Sequence, residues 1–423
     1  GVEMKVKINH TLFITLSLIT LLIAGNYWGI AQFVLPYKAR LYILVLSGAI
    51  PLLLPLYYKK RSIIIPWMLC FFFVLFRNQE FLSGGYYNSI RLIGAYLFIF
   101  ASVKSCDWIK KAPQIITAVG IANVIATLLF FVNNGLYQLF INTTYKQYQD
   151  GTQDGLYGYR AALADHYSQN GTYITIVLLT VWAVFLTLNG HEKKRKYIMI
   201  AGIATVIALL LTSKRAHLLF GVATLIVVYY VVNPEKRLLK SFKLMMAAVA
   251  ALIGLNFLMD YVPDIARVFE RFQTAGSDNA SLLRILMWDR AHSIFNQNPI
   301  LGIGWYGFRY KSGLSTLTGA TAGCHNIYLE LLCETGLLGF CVFIMAMASS
   351  IVITWKNINF LSHQERDVEL TSIKLALSVS FAIQFFVLLY GMTGNPIYDS
   401  TFCFYAVAVA INISFTSNMR GRI

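Results

Sequence analysis

Residues 326–354 read NIYLELLCETGLLGFCVFIMAMASSIVIT, in which Glu330 and Glu334 are the only charged residues. A helix needs about 20 apolar residues to span a bilayer. This stretch therefore predicts a membrane-spanning helix that is long enough to begin outside the membrane.

Further apolar stretches resemble this one, and together they predict about twelve transmembrane helices. The other spans lie near 11–31, 41–57, 62–76, 86–103, 113–132, 172–189, 197–212, 217–233, 244–262, 373–392 and 401–417. The composition agrees, since 57% of the 423 residues are hydrophobic and 13% are charged, whereas soluble domains carry about 25% charged residues. The sequence predicts an all-α polytopic membrane protein with a single transmembrane domain over 1–423. It excludes a disordered chain, a secreted disulfide scaffold and an ordinary cytosolic enzyme.

The basic residues indicate the topology. Most of the 35 Lys and Arg residues lie in alternate connections between the predicted spans, and such residues mark the cytoplasmic side. Both termini are therefore predicted in the cytoplasm. The net charge of +16 is explained by topology rather than by binding to nucleic acid. The first apolar run lacks a clear small-residue cleavage site, so we expect no cleavable signal peptide.

The two long connections, 133–171 and 263–325, are predicted to lie outside the cytoplasm. Loops longer than about 12–15 residues are usually functional or disordered. Apolar residues recur with helical spacing over 261–272 and 281–295, which predicts amphipathic helices on or over the membrane. We therefore interpret 133–171 as an extracytoplasmic loop and 263–325 as a loop or lid.

Three groups of basic residues lie at or near the predicted outer face. Arg91 lies inside the fourth span, where a central charge costs about 2.5–3.5 kcal/mol, and both a functional role and snorkelling to the surface are open. Lys214 and Arg215 form a short turn between two spans, which suits an anionic ligand such as a lipid phosphate but could be an ordinary charged turn. Arg160 precedes Asn170 in YRAALADHYSQNG, which is either a site or a solvated loop.

The second long connection and the helix after it hold the remaining candidates. Arg284 and Trp288 are four residues apart and share a helix face. His325 and Asn326 open the helix of 326–354, and Glu330 follows one turn later. A lone interfacial histidine is more often structural than catalytic, but several arginines share its predicted side of the membrane.

The glycines of 302–307 match G-x-G-x-x-G, but no buried strand precedes them, so the pattern predicts a tight connection after Pro299 rather than a dinucleotide site. Trp288, Trp305 and Tyr306 either stack on sugars or pack the lid against the bundle. Motifs with metal-ligand spacing are absent, as are C-x-x-C pairs among the six cysteines. We expect no metal and no cofactor.

Three segments together resemble the O-antigen ligase and polymerase superfamily, in an order that covers roughly residues 155–345. They are TSKRAHLLF (212–220), LLRILMWDRAHSIFNQNPILGIGWYGF (282–308) and HNIYLELLCETGLLGF (325–340). The segment with Arg160 and Asn170 is a weaker parallel.

The resemblance implies a type C glycosyltransferase that acts at the outer face of the bacterial inner membrane. Its donor would be a glycan on undecaprenyl pyrophosphate, which an acceptor hydroxyl attacks with inversion. A lipid-linked repeat unit as acceptor would make it a polymerase for O-antigen, capsule or exopolysaccharide. The sequence of 325–340 favours the polymerase. Lipid A–core as acceptor would make it a ligase. A chain-length regulator and membrane lipids are the further partners implied.

The resemblance also assigns roles to residues of this sequence. His325 would be the general base, since histidine is suited to that role near neutral pH. Pyrophosphate would be bound by basic side chains, because arginine offers bidentate geometry to phosphate; these are Arg91, Arg160, Lys214, Arg215 and Arg284. The supporting or sugar-binding residues would be Asn170, Trp288, Asn326 and Glu330.

Two other classes of protein remain as alternatives. A polysaccharide or lipid transporter would suit twelve spans and an intramembrane arginine, but the candidate charges gather on one side of the membrane. A scaffold in an envelope complex would not require the basic turn or His325.

Overall fold

The computed structural model describes residues 10–27, 36, 39, 42–43, 45–47, 63–144, 158–164, 166–187, 192–232, 235, 237–273, 279–314, 322–364 and 367–418. Within these ranges the chain forms helices and connections and no strand. The predicted all-helical class is therefore confirmed for the described part of the chain.

The helices are numbered in chain order. The first half of the chain contains α1 (His10–Asn26), α2 (Ile65–Leu75), α3 (Gln79–Leu82), α4 (Tyr87–Ala101), α5 (Ala112–Val132), α6 (Asn134–Thr144), α7 (Tyr167–Thr187) and α8 (Glu192–Leu211). The second half contains α9 (Arg215–Val232), α10 (Arg237–Tyr261), α11 (Pro263–Gln273), α12 (Asn279–Gln297), α13 (Gly307–Lys311), α14 (Ile327–Ser362), α15 (Val368–Tyr390) and α16 (Thr401–Asn418). Short 3-10 turns span Ser102–Lys104, Asp107–Lys110 and Gly158–Ala161.

Seven of the described helices are long and apolar enough to cross a membrane: α5, α7, α9, α10, α14, α15 and α16. Helices α1 and α4 are apolar but shorter, and α2 has 11 residues. The predicted second span, near 41–57, lies mostly outside the described residues. The fold is that of a polytopic membrane protein, and the count of twelve spans stays a prediction.

The two long connections are largely helical. Helix α6 and the start of α7 occupy parts of 133–171, so the sixth span begins earlier than predicted. Helices α11 and α12 occupy the stretches of 263–325 where the apolar spacing predicts helices.

Helix α16 lies at the centre of the bundle and contacts α1, α4, α14 and α15. Its residues from Thr401 to Thr416 are buried. Polar side chains join it to its neighbours: Asn357 Nδ2 donates to Asn412 Oδ1 at 2.9 Å, and Asn412 Nδ2 donates to the Ser350 carbonyl at 3.1 Å. Such interhelical hydrogen bonds contribute to helix association where lipid gives no hydrophobic drive.

At each end of the bundle, hydrogen bonds join connections between the helices. Lys110 Nζ and Glu369 Oε1, at 2.6 Å, join two connections that are predicted to be cytoplasmic. The N–H of Gln79 donates to the Trp305 carbonyl at 2.9 Å and joins two that are predicted to lie outside. The contacts thus follow the alternation read from the charges. Which end faces the cytoplasm stays a prediction.

Helix α14 has a kink, which a neighbouring loop fills. Gly336 has φ +64° and ψ −173°, a conformation that suits a residue without a Cβ. The N–H of Leu337 donates to the Pro299 carbonyl at 2.8 Å, and the Glu334 carbonyl accepts from the N–H of Gly304 at 2.8 Å. Backbone groups that the kink would leave unpaired are therefore satisfied by the segment 299–304.

The glycine pattern at 302–307 is what allows this close approach. Gly302 and Gly304 have φ +63° and +98°, and a Cβ at Gly302 would lie only 2.6 Å from the Gly336 nitrogen. The structure therefore confirms a tight connection after Pro299.

Candidate active site

His325 lies in the short connection that leads into α14. The helix begins directly after it because Asn326 caps the first turn, its Oδ1 accepting the N–H groups of Tyr328 and Leu329 at 3.0 and 3.2 Å. His325 has φ +56°, a left-handed backbone that costs about 1–3 kcal/mol in a non-glycine residue and that clusters at functional sites. Asn326 thus supports the backbone that presents His325.

Glu330 holds the residue before His325. Its carboxylate is fully buried and accepts the N–H of Cys324 at 3.0 Å. A Cβ on Gly323 would overlap the Asn395 side chain, so this segment also packs closely against the connection between α15 and α16. Buried in this way, Glu330 positions the segment with His325 and is closed to a sugar.

Three cations act on the imidazole of His325. The side chain is exposed, yet protein fills much of the space around it, so it lines a recess. Burial, and then the positive charges of Arg284, Lys214 and Arg309, lower the pKa of His325 to about 4, from about 6.5 for an ordinary histidine. The imidazole is therefore uncharged at neutral pH and free to accept a proton.

The predicted basic turn is present between two helices. Helix α8 ends at Leu211 and α9 begins at Arg215, so Lys214 lies in the turn. Lys214 Nζ lies 3.6 Å from the centroid of the Tyr167 ring, a cation–π contact. A Cβ on Gly171 would lie 3.4 Å from Lys214 Cγ, so the glycine makes room for the lysine stem.

Helix α12 carries two predicted residues and contacts a third. Arg215 Nη2 donates to Ser281 Oγ at 3.4 Å, which joins the basic turn to the start of α12. Arg284, one turn further along, is one of the charges that act on His325. Trp288 is half-buried and packs in the cluster between α12 and α14.

Asn170 and Arg160 are joined to each other. Asn170 is fully buried, and its Nδ2 donates to the Arg160 carbonyl at 2.8 Å and to Thr127 Oγ1 at 3.0 Å. Asn170 therefore fixes the turn at 158–161 against α5 and is not open to a sugar. The guanidinium of Arg160 lies 5.5 Å from the Tyr159 ring.

Arg91 is buried in the bundle and does not snorkel. It is 4% exposed, and its guanidinium donates to Asn88 Oδ1 at 2.9 Å and to the Tyr87 hydroxyl at 3.3 Å. Asp399 and Tyr306 lie close enough to interact with its charge. A cation inside a membrane bundle generally faces the protein interior, and Arg91 follows that rule.

Arg309 and Asp399 are functional candidates that sequence reasoning missed. The charge of Arg309 acts on His325 and interacts with Asp399 and Glu330. Asp399 lies in the connection between α15 and α16 and also interacts with Arg91. Arg309 follows the glycine-rich turn directly, which is the sequence signal that could have found it. For Asp399 we see no such signal.

Glu334 is not among the site residues that the sequence predicts. Its carboxylate is buried and accepts the N–H groups of Tyr306 and Phe308 at 2.9 and 2.8 Å. These bonds fix the start of α13, and so the backbone that carries Arg309. Glu334 therefore links the kinked helix to one of the cations near His325.

His166 is a second histidine of the same region. Burial, and then the positive charge of Lys214, lower the pKa of His166 to about 3. Its Nδ1 accepts the N–H of Ser168 at 3.1 Å, which gives it a structural role at the start of α7.

Two aromatic residues predicted as sugar-stacking candidates are packed in the interior instead. Trp305 and Tyr306 are each 1% exposed. The Trp305 ring stacks on Tyr398 at 4.5 Å and on Phe343 at 5.5 Å between centroids. The alternative, packing of the loop against the bundle, is the one that the structure has.

Residues 200–344 match the family model described as O-antigen ligase. The range includes Lys214, Arg284, Arg309 and His325, so four residues of the recess fall within it. No curated protein matches the chain. The match supports a glycosyl-transferring enzyme of the O-antigen ligase or polymerase type, for which lipid-linked glycans are the implied substrates. This match over residues 200–344 supports the resemblance to the O-antigen ligase and polymerase superfamily that the sequence predicts.

Proposed function

We propose that the protein is a glycosyltransferase that polymerises undecaprenyl-pyrophosphate-linked oligosaccharide repeat units at the outer face of the bacterial inner membrane. The observation that carries the proposal is the recess in which an exposed, uncharged His325 faces the cations Lys214, Arg284 and Arg309. A base beside several fixed cations suits a hydroxyl nucleophile and a pyrophosphate leaving group.

In the proposed reaction the acceptor hydroxyl oxygen attacks the anomeric carbon of the donor glycan and passes its proton to His325. The bond between that carbon and the pyrophosphate oxygen breaks, and its electron pair leaves with undecaprenyl pyrophosphate. The anomeric configuration inverts. Negative charge grows on the leaving group, so positioned cations accelerate the step.

Arg284, Lys214 and Arg309 are proposed to bind the pyrophosphate nearest His325. Arg215 would act beside them from the start of α9. Arg160 and Arg91 are proposed for phosphate or sugar further from the base. Because these cations supply the positive charge that a divalent ion supplies in other transferases, we expect no metal requirement.

A ligase that transfers the glycan to lipid A–core is the second candidate. The description of the matched family model, O-antigen ligase, favours it. Both reactions need the same donor site and differ in the acceptor.

The test is a single-turnover incubation of purified protein with lipid-linked repeat units, with and without lipid A–core. A ladder of lengthened lipid-linked glycans supports the polymerase, whereas transfer only to lipid A–core supports the ligase. His325→Ala should lose about 10²–10⁴-fold in rate. The matched control is His363→Ala at the far end of α14, which should keep full activity. Full activity of His325→Ala would overturn the proposed base.

A further inference from the structure

An apolar groove lies on the surface beside the kink of α14. It has a volume of about 430 Å³ and is lined by Phe72, Phe73, Leu75, Phe76 and Leu301. Phe72 and Phe76 are 60% and 50% exposed. The groove is therefore open to the hydrocarbon of the membrane and is wide enough to take up part of a lipid chain.

Two cations bind the backbone directly beside the groove residue Leu301. Arg77 follows Phe76 directly, and its Nη1 donates to the Gly302 carbonyl at 3.3 Å. Lys311 Nζ donates to the next carbonyl, that of Ile303, at 3.2 Å. Both side chains are exposed, and no carboxylate of the described residues lies within ion-pair distance of either.

The charges of the two side chains are close enough to affect each other. Partial burial, and then the charge of Arg77, lower the pKa of Lys311. Bringing two like charges together is unfavourable unless an anion lies between them. The pair therefore favours an anionic group at the mouth of the groove.

We propose that Arg77, Lys311 and the groove form a binding site for one anionic phospholipid of the surrounding membrane. Its phosphate lies between the two cations, and one of its acyl chains lies along Phe72, Phe76 and Leu301. The charge complementarity and the continuity of cations with an exposed apolar groove select this occupant.

The site is separate from the recess with His325, but the two are connected through the backbone. Both cations bind carbonyls of the segment 299–304, which fills the kink of α14. The same segment leads into the turn whose N–H groups Glu334 accepts. A bound lipid would therefore stabilise the segment 299–304, which leads to the helix with Arg309.

The test compares lipid binding by the purified full chain and by Arg77→Gln/Lys311→Gln. Native mass spectrometry in detergent counts bound phosphatidylglycerol as its concentration rises, with phosphatidylcholine and inorganic phosphate as parallel probes. A basic residue near a membrane surface contributes about 1 kcal/mol to binding of anionic lipid, and 1.4 kcal/mol is tenfold in affinity. The double variant should therefore bind phosphatidylglycerol about tenfold to thirtyfold more weakly. The control Lys243→Gln/Lys356→Gln removes the same charge from other exposed positions and should bind as the parent does.

Each other outcome counts against the proposal. Equal binding of phosphatidylcholine would show that the groove holds lipid without the cations. Binding of inorganic phosphate with the same dependence on Arg77 and Lys311 would assign the pair to a free anion. Displacement of phosphatidylglycerol by a polyprenyl phosphate at equimolar amounts would assign the groove to a substrate lipid. Both variants should elute as folded monodisperse protein and melt at the parent temperature in phosphatidylcholine nanodiscs, which separates lost binding from lost folding.

Discussion

Replacing Gly336 with alanine tests whether the kink of α14 depends on the close approach of the segment 299–304. A Cβ at Gly336 would lie 2.6 Å from the Leu301 nitrogen and would overlap the Ile300 carbonyl. The left-handed φ of +64° adds a penalty of about 1–2 kcal/mol for a residue with a Cβ. Overpacking costs a further 1–3 kcal/mol or so. We expect Gly336→Ala to lower the free energy of unfolding by about 2–5 kcal/mol.

Substitutions at two other glycines separate the backbone penalty from the overpacking penalty. Gly84 has φ +82° and no atom within 4 Å of an added Cβ, so Gly84→Ala should show the backbone penalty alone, about 1–2 kcal/mol. Gly254 lies within α10 and also has open space around an added Cβ. Gly254→Ala should stabilise the protein by up to about 1 kcal/mol through helix propensity.

The assay is thermal unfolding of the three variants and the parent in the same detergent, together with their glycan-transfer rates. We expect the order of apparent melting temperature Gly254→Ala, parent, Gly84→Ala, Gly336→Ala. Only Gly336→Ala should also lose transfer in the folded protein, because its segment leads to Arg309. If Gly336→Ala has the melting temperature of Gly84→Ala and retains activity, the segment 299–304 moves aside without cost and its close approach does not determine the kink.

Three further predictions concern the recess with His325. At pH 5 a histidine with an ordinary pKa is only about 3% uncharged, whereas one with a pKa near 4 is about 90% uncharged. Diethyl pyrocarbonate acylates the uncharged imidazole, and peptide mass spectrometry measures the modified fraction of His325. This fraction should therefore fall little between pH 7 and 5 and should fall steeply only below pH 4. Asn326→Ala should lower stability by about 0.5–2 kcal/mol because the cap of α14 is lost, while Asn326→Asp, which keeps the acceptor, should stay within a few tenths of the parent in the same melt. The glycan-transfer rate should be unchanged by incubation with a chelator. If the chelator abolishes transfer and added magnesium restores it, the cations do not replace a metal.

The sequence predicts most of the fold because the hydropathy of a short stretch is enough to identify a membrane-spanning helix. An apolar run such as 401–417 predicts a helix without any information on its tertiary contacts, and the structure has a helix from Thr401 to Asn418. The turn with Lys214 could be placed for the same reason, since two apolar runs leave it no other position. Hydropathy does not, however, predict the kink at Gly336, because the φ of this residue depends on a loop that is distant in sequence.

The site is only partly predictable because its residues are brought together from separate connections. His325, Lys214 and Arg284 were found through a resemblance that covers them. Arg309 and Asp399 were missed because a charge in a predicted loop is usually solvated, whereas in the structure Arg309 interacts with the charge of Glu334, and Asp399 with that of Arg91. For Trp305 the sequence leaves sugar stacking and packing against the bundle as alternatives, because an aromatic residue in a long loop gives no sign in sequence that it stacks on Tyr398.

The proposed roles in the recess impose an order on the reaction. The cations that would bind the pyrophosphate also lower the pKa of His325 to about 4, well below the value near working pH that makes a general base most effective. A bound pyrophosphate would neutralise part of that positive charge and raise the pKa of His325, since a nearby opposite charge favours the protonated form. Donor binding would then both position the leaving group and strengthen the base. The acid limb of kcat should therefore lie at higher pH than the acid limb of kcat/KM, and coincident limbs would show that the donor phosphates do not reach the cations beside His325.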